Sequence, residues 1–200
     1  MVIESKGRHK FEKFKTELSQ ESFATFFDAY FLRLSQFACS IVKSNLLAEE
    51  IVLDVFLKLW ESRSDLTKIK NIEPYLYIST RNKAISTLRK ETKFHFDLIE
   101  DSEIKLTDYK PSAEVDLIEH ELFDTLNKTV ANLPPKCKII FKLIREDGLN
   151  RQEVAEILNI SVKTVDNQLA IAIRKIATVL NIDLSNPQNT RKLKTLLLSL

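Results

Sequence analysis

The sequence predicts an all-α fold of two small helical domains joined by an acidic, flexible linker, the second domain containing a helix-turn-helix. Three observations carry that expectation. Only two Gly and five Pro occur in 200 residues, too few for a fold rich in tight β-turns. Apolar residues recur at helical spacing along most of the chain, with no alternating Val/Ile/Thr run of strand type. Charge is also blocked, although the net charge is only +2. Residues 74–93 carry Arg81, Lys83, Arg89, Lys90 and Lys93 against Glu91 alone, a balance of +4. Residues 94–121 carry nine acids, from Asp97 to Glu121, against Lys105 and Lys110, a balance of −7.

Residues 1–19 read as an amino-terminal extension. Phe23, Phe27, Tyr30, Leu34, Phe37 and Ile41 then recur at steps of three and four, one stripe of a long helix facing a core, with Ser19 or Ser22 as its cap. A second helix is predicted from Leu46 to Glu61. Leu47, Ile51, Val55 and Leu59, with Ala48, Val52, Phe56 and Trp60, give it a broad apolar face. Its charged side is interrupted by Leu53 and Leu57, which are either further core or a docking surface.

After a polar stretch, Ser62 to Glu73, Pro74 suits the first turn of a third helix running from Tyr75 to about Lys90. Tyr75, Ile78, Ile85 and Leu88 are expected inward, with Tyr77, Arg81, Lys83, Arg89 and Lys90 more exposed. Such a face is either a solvated cationic surface or, with an aromatic among the cations, a track for single-stranded nucleic acid.

From Glu91 to about Ser112 the periodicity fades and acids dominate, as in a linker. A helix over about Ala113–Ala131 follows. Pro134 and Pro135 open the next, with Ile139, Ile140, Leu143 and Ile144 as its apolar side, ending near Asp147-Gly148. Asn150 and Glu153 have capping-box spacing for a helix to Leu158. Asn159 falls where a sharp turn calls for a left-handed backbone, which Asn tolerates. Ser161 caps the next helix, which buries Val162, Val165, Leu169, Ala172 and Ile176 against Val154, Ala155 and Leu158. Lys163, Thr164, Asn167 and Gln168 face out near its start, Arg174 and Lys175 near its end. This is the layout of a helix-turn-helix, whose second helix fits the DNA major groove; the plainer alternative is an αα-corner within a bundle.

The segment LPPKCKIIFKLIREDGLNRQEVAEILNISVKTVDNQL, preceded by AEEIVLDVFLKLW and PYLYISTRNKAISTLRK, resembles the extracytoplasmic-function (ECF) group of bacterial sigma factors over residues 20–93 and 113–178. The resemblance implies a subunit that binds core RNA polymerase and directs transcription initiation at chosen promoters. Residues 20–93 would form the promoter-opening and core-binding domain, 94–112 the linker, 113–180 the domain reading the −35 element, and 181–200 a tail. It implies contacts of Glu50, Leu53 and Asp54 with the polymerase clamp, and of helix Pro135–Glu146 with the flap. Arg81, Asn82, Lys83, Arg89 and Tyr77 would engage the −10 element, with a base-flipping pocket near Asp65–Ile72. Lys163, Thr164, Asn167 and Gln168 would read the −35 element, aided by Arg174 and Lys175. A membrane-anchored anti-sigma factor is a further implied partner.

The sequence departs from the family pattern at Asn159, at Ile171 and at Asp166, which adds negative charge beside the groove face. His9, His95 and His120 lack ligand spacing with Cys39 and Cys137, and neither a Gly-rich phosphate loop nor a nucleophile–base set stands out. No enzyme activity, metal or cofactor is therefore expected. The two cysteines read as reduced thiols in helices. No signal segment is visible and the closing LLLSL is too short to span a membrane, so a cytoplasmic protein without membrane insertion is expected. The competing readings are a dimeric helix-turn-helix regulator independent of polymerase and an adaptor that does not bind DNA.

Overall fold

The computed structural model describes residues 2–91, 125–183, 185, 186, 188 and 189. Its described residues are helical, with no strand among them. The helices are α1 (Val2–Glu17), α2 (Gln20–Val42), α3 (Asn45–Glu61), α4 (Ile72–Glu91), α5 (Pro135–Arg145), α6 (Arg151–Leu158) and α7 (Val162–Val179). A 3-10 segment, Arg63–Lys68, follows α3, and residues 125–131 are helical ahead of α5. The chain divides into two compact units, one built on α1–α4 and the other on the carboxy-terminal helices.

In the first unit α2 packs against α1, α3 and α4. Ser19 caps it, its side chain accepting from the Ser22 N–H at 3.2 Å. At the other end Lys43 turns left-handed (φ 62°), and its N–H closes onto the Cys39 carbonyl at 2.9 Å. Ser44 then caps α3 through the Leu47 N–H. Each such cap is worth about 1 kcal/mol. The core is aromatic: Phe14 stacks on Phe26 and Trp60, Phe23 lies 4.9 Å from Trp60, and Phe56 meets Phe26 and Phe27 edge-on. Burying a Phe stabilises by about 1.5–3 kcal/mol, and tilted ring pairs add to that.

The extension 1–19 carries α1, which buries Phe11 and Phe14 in the aromatic core. Three expectations for this unit need correction. On α2 the deepest ring is Phe26, with Phe23 and Phe27 only half-buried, since α1 approaches on the Phe26 side. The polar stretch after α3 contains the 3-10 segment, pinned by Leu66 at 1% exposure, and α4 begins at Ile72 rather than Tyr75. Finally, the phase of α4 is rotated. Leu76, Tyr77, Thr80 and Ala84 face inward, while Tyr75 is exposed.

The rotation has a physical cause in the first turn. Glu73 is buried, and its carboxylate accepts from the Tyr30 hydroxyl at 2.9 Å and from Arg8 Nε at 3.1 Å. That anchor turns the Glu73–Tyr77–Thr80–Ala84 row toward α2, and small Ala84 permits close approach. Gly7 belongs to the same knot: a Cβ there would lie 2.5 Å from the Tyr30 hydroxyl oxygen.

In the second unit α5 packs against α7. Leu126, Val130, Leu133, Ile140, Phe141, Leu143, Val154, Leu169 and Ile176 are buried. On α5 the inward row is Cys137, Ile140, Phe141 and Leu143, whereas Ile139 and Ile144 are half-buried. Lys138 is buried as well, its ammonium reaching the Ala131 carbonyl at 3.2 Å. Gly148 takes the left-handed turn (φ 69°) between α5 and α6. The linker 94–112, the first part of the helix expected over 113–131, and most of the tail 181–200 lie outside the described residues.

Candidate nucleic-acid interface

The tight corner is built from local hydrogen bonds. Asn150 Oδ1 accepts from the N–H groups of Gln152 and Glu153 at 2.9 and 3.0 Å, and Glu153 Oε2 accepts from the Asn150 N–H at 2.9 Å. That reciprocal capping box starts α6. Asn159 leaves the helix with φ 55°, and the Ile160 N–H closes onto the Ala155 carbonyl at 3.0 Å. Ser161 then caps α7, accepting from the Thr164 N–H at 3.0 Å, with the two hydroxyls 2.8 Å apart. Every polar residue the turn requires is present.

Helix α7 buries Val165, Leu169, Ala172, Ile176 and Ala177. Lys163, Asn167, Ile171, Arg174 and Lys175 are exposed on its other side. Thr164 and Gln168 are half-buried, and Gln168 Oε1 accepts from the Cys137 thiol at 2.9 Å. Burial pushes the Cys137 thiol pKa up, against a smaller opposing pull from Lys175. Val162, expected inside, is 40% exposed, because as the first residue of α7 it precedes the turn that meets the core. Asp166 is paired with Arg151 at 2.9 Å, so the negative charge beside the groove face is partly neutralised by a residue the sequence reading passed over.

Two more surfaces lie on the first unit. Leu46, Glu50, Leu53 and Leu57 recur at steps of four, three and four as one exposed stripe of α3, with the three leucines 80%, 51% and 55% exposed. On α4, Tyr75, Asn82, Ser86, Arg89 and Lys90 are exposed and Arg81 half-exposed. Lys83 pairs with Asp54 of α3. Tyr77, expected on this face, is instead a core residue at 1% exposure, edge-on to Phe37 at 5.1 Å. Tyr75 is the aromatic that the surface presents. The stretch expected to hold a flipped base, Asp65–Ile72, begins in the 3-10 segment and ends on the first residue of α4; there Lys68 pairs with Asp65 at 2.9 Å, and just before it Arg63 stacks over Trp60 at 4.6 Å.

Among the described residues no three His, Cys, Asp or Glu side chains gather as a metal site. None of the described helices is long and apolar enough to cross a membrane.

Described residues that form helices without strands, with a capped helix-turn-helix and another unit carrying a basic helix, have the layout of a DNA-binding transcription protein. Comparison with known proteins narrows this. Residues 26–94 match the model of sigma-70 region 2 and residues 123–176 that of sigma-70 region 4, together more than half of the chain. The chain is 26% identical over 160 residues to the ECF RNA polymerase sigma factor SigW of Bacillus subtilis, covering 75% of this chain and 84% of that protein. Its fold matches the sigma factor RpoE of Bartonella quintana, solved in complex with the anti-sigma factor NepR. That match has a TM-score of 0.50 and 20% identity, and covers 82% of this chain and 99% of the other. The chain belongs to the sigma-70 family, in the ECF group of RNA polymerase sigma factors. As a sigma factor it binds core RNA polymerase and promoter DNA and directs transcription initiation.

Proposed function

We propose that the three surfaces divide the work of initiation. Helix α3 docks on the polymerase clamp through Glu50, Leu53 and Asp54. The observation that carries this is the stripe Leu46–Glu50–Leu53–Leu57, apolar side chains left in water beside acids on the side of α3 opposite its buried face. Helix α4 engages the opening −10 element with Arg81, Asn82, Lys83 and Arg89, cations and an amide placed for phosphates and unpaired bases. Helix α7 reads the −35 element with Lys163, Thr164, Asn167 and Gln168, whose donors and acceptors suit base edges in the major groove. Helix α5 meets the flap.

In domain terms, residues 20–93 open the promoter and hold the polymerase, with α1 as part of that body. Residues 113–180 read the −35 element, 94–112 connect the two, and 181–200 form a tail. The −7 segment suits the positively charged RNA path of the polymerase. The protein works in the cytoplasm without enzyme activity of its own, the phosphodiester chemistry belonging to the polymerase. A membrane-anchored anti-sigma factor holds it inactive; the Bartonella complex supports an anti-sigma partner, and the anchor follows from the family resemblance alone.

The test is reconstitution. Purified protein added to core polymerase should yield run-off transcripts from discrete fragments of the parent genome, and Leu53→Glu should abolish them while leaving the fold intact. Discrete transcripts undiminished in Leu53→Glu would remove α3 from the docking role.

A further inference from the structure

We propose that the cleft between the helical residues 125–131 and the carboxy-terminal end of α7 is a phosphate seat for the promoter backbone flanking the −35 element. The cleft measures about 540 Å3. Lys128 and Asn132 stand on one wall, with Arg174 and Lys175 on the other, and no acid is among the described residues that line it. Two of the three threonine hydroxyls are already committed: Thr129 donates to the Thr125 carbonyl at 2.6 Å and Thr178 to the Arg174 carbonyl at 2.9 Å. The remaining donors are three cations, one amide and the Thr125 hydroxyl. Such a set, with no carboxylate among the described lining residues, selects an anion, and Lys and Arg side chains sharing one cleft suit phosphate oxygens.

Position favours DNA as the source of that anion. Asn167, Ile171, Arg174 and Thr178 follow one another at steps of four, three and four, so the cleft continues the face of α7 that carries Asn167. A helical rise of 1.5 Å per residue puts Arg174 roughly 10 Å beyond Asn167. That is comparable to the ~12 Å width of the major groove, so a helix reading bases at Asn167 brings Arg174 to the sugar-phosphate wall. Arg174 and Lys175 then position the protein rather than read sequence, and Lys128 joins them as a DNA contact from outside the helix-turn-helix. This inference rests on the −35 reading proposed above and assigns it a backbone clamp.

The experiment uses full-length protein in holoenzyme with a promoter duplex that the holoenzyme transcribes, titrated between 50 and 200 mM salt. Lys128→Ala should lower the slope of log affinity against log salt by about 0.9, so that its loss across that range is roughly 3-fold smaller than wild type. Base preference at −35 should be unchanged, and Lys128→Arg should restore the slope. A duplex with neutral methylphosphonates flanking the −35 element should weaken wild type while leaving Lys128→Ala nearly indifferent. An unchanged slope, or additive losses from the variant and the neutral duplex, would overturn the proposal. Weakened binding to core polymerase with an unchanged salt slope would also overturn it, assigning the cleft to an acidic protein segment instead. Melting temperature confirms that the variants fold. The −35 reading fails separately, if Asn167→Ala leaves base discrimination intact.

Discussion

Asp54 on α3 and Lys83 on α4 form an ion pair that ties the proposed polymerase-docking helix to the proposed promoter-opening helix. Both side chains are about one-third exposed, at 39% and 31%, so solvent screens the attraction. A double-mutant cycle with Asp54→Ala and Lys83→Ala should give a coupling of about 0.2–1 kcal/mol in thermal melts. The functional consequence is larger than the energetic one. Under the proposed docking, a carboxylate engaged by polymerase would release the lysine for a phosphate. Asp54→Asn should therefore reduce holoenzyme assembly while Lys83→Ala reduces promoter opening, and equal loss of assembly in both would argue against this division.

Tyr75 and Tyr77 sit two residues apart and should behave oppositely. Tyr77→Ala removes a fully buried ring and should cost about 3–5 kcal/mol, read by urea unfolding. Tyr75→Ala should leave stability within about 0.5 kcal/mol yet impair opening, read by permanganate reactivity of promoter thymines. A stable Tyr77→Ala protein would refute the packing of α4.

Gly7 lies inside α1, where Ala ordinarily favours a helix by about 1 kcal/mol. Here Gly7→Ala should destabilise instead, because the new Cβ meets Tyr30 at 2.5 Å from its hydroxyl oxygen and 2.8 Å from the ring carbon bearing it. Adding Tyr30→Phe should relieve only part of the loss, since the ring remains. Chemical denaturation of the single and double variants would show this order.

The Tyr30 hydroxyl also sets a limit in alkali. Burial and the adjacent Glu73 carboxylate push its pKa well above the ordinary value near 10. The folded protein thus keeps the proton while the unfolded chain releases it, and the stability linked to Tyr30 is complete below about pH 10 and falls as pH rises beyond it. Tyr30→Phe should flatten the alkaline limb of a stability–pH profile.

At the corner, Ser161→Ala removes the cap of α7 and should cost about 1 kcal/mol. Asn159→Gly should be nearly neutral and Asn159→Val clearly destabilising, because a β-branched residue resists φ 55°. Binding of a −35 duplex should fall in step with the melting temperature for both destabilised variants.

Local chemistry was legible in the sequence, and phase was less so. The corner could be read residue by residue because Asn150, Glu153, Asn159 and Ser161 act within a few positions of themselves. The phase of α4 could not, because Glu73 and Tyr77 are drawn inward by Arg8, Tyr30 and Phe37, distant in sequence and joined only in the fold. Apolarity picked Ile78 and Ile85, whereas small Ala84 and Thr80 are what allow close approach. The same blindness hid the Arg151–Asp166 pair and the Cys137–Gln168 hydrogen bond, which hold side chains of α7 from neighbouring helices.

Trp60 is the chain's one indole, wedged between Phe14, Phe23 and the Arg63 guanidinium. Its emission therefore comes from a single half of the molecule and stays silent about the other. A fluorimeter trace and a far-ultraviolet helix signal recorded during the same melt will coincide only if the two halves come apart together, which gives a label-free gauge of their independence in the free protein.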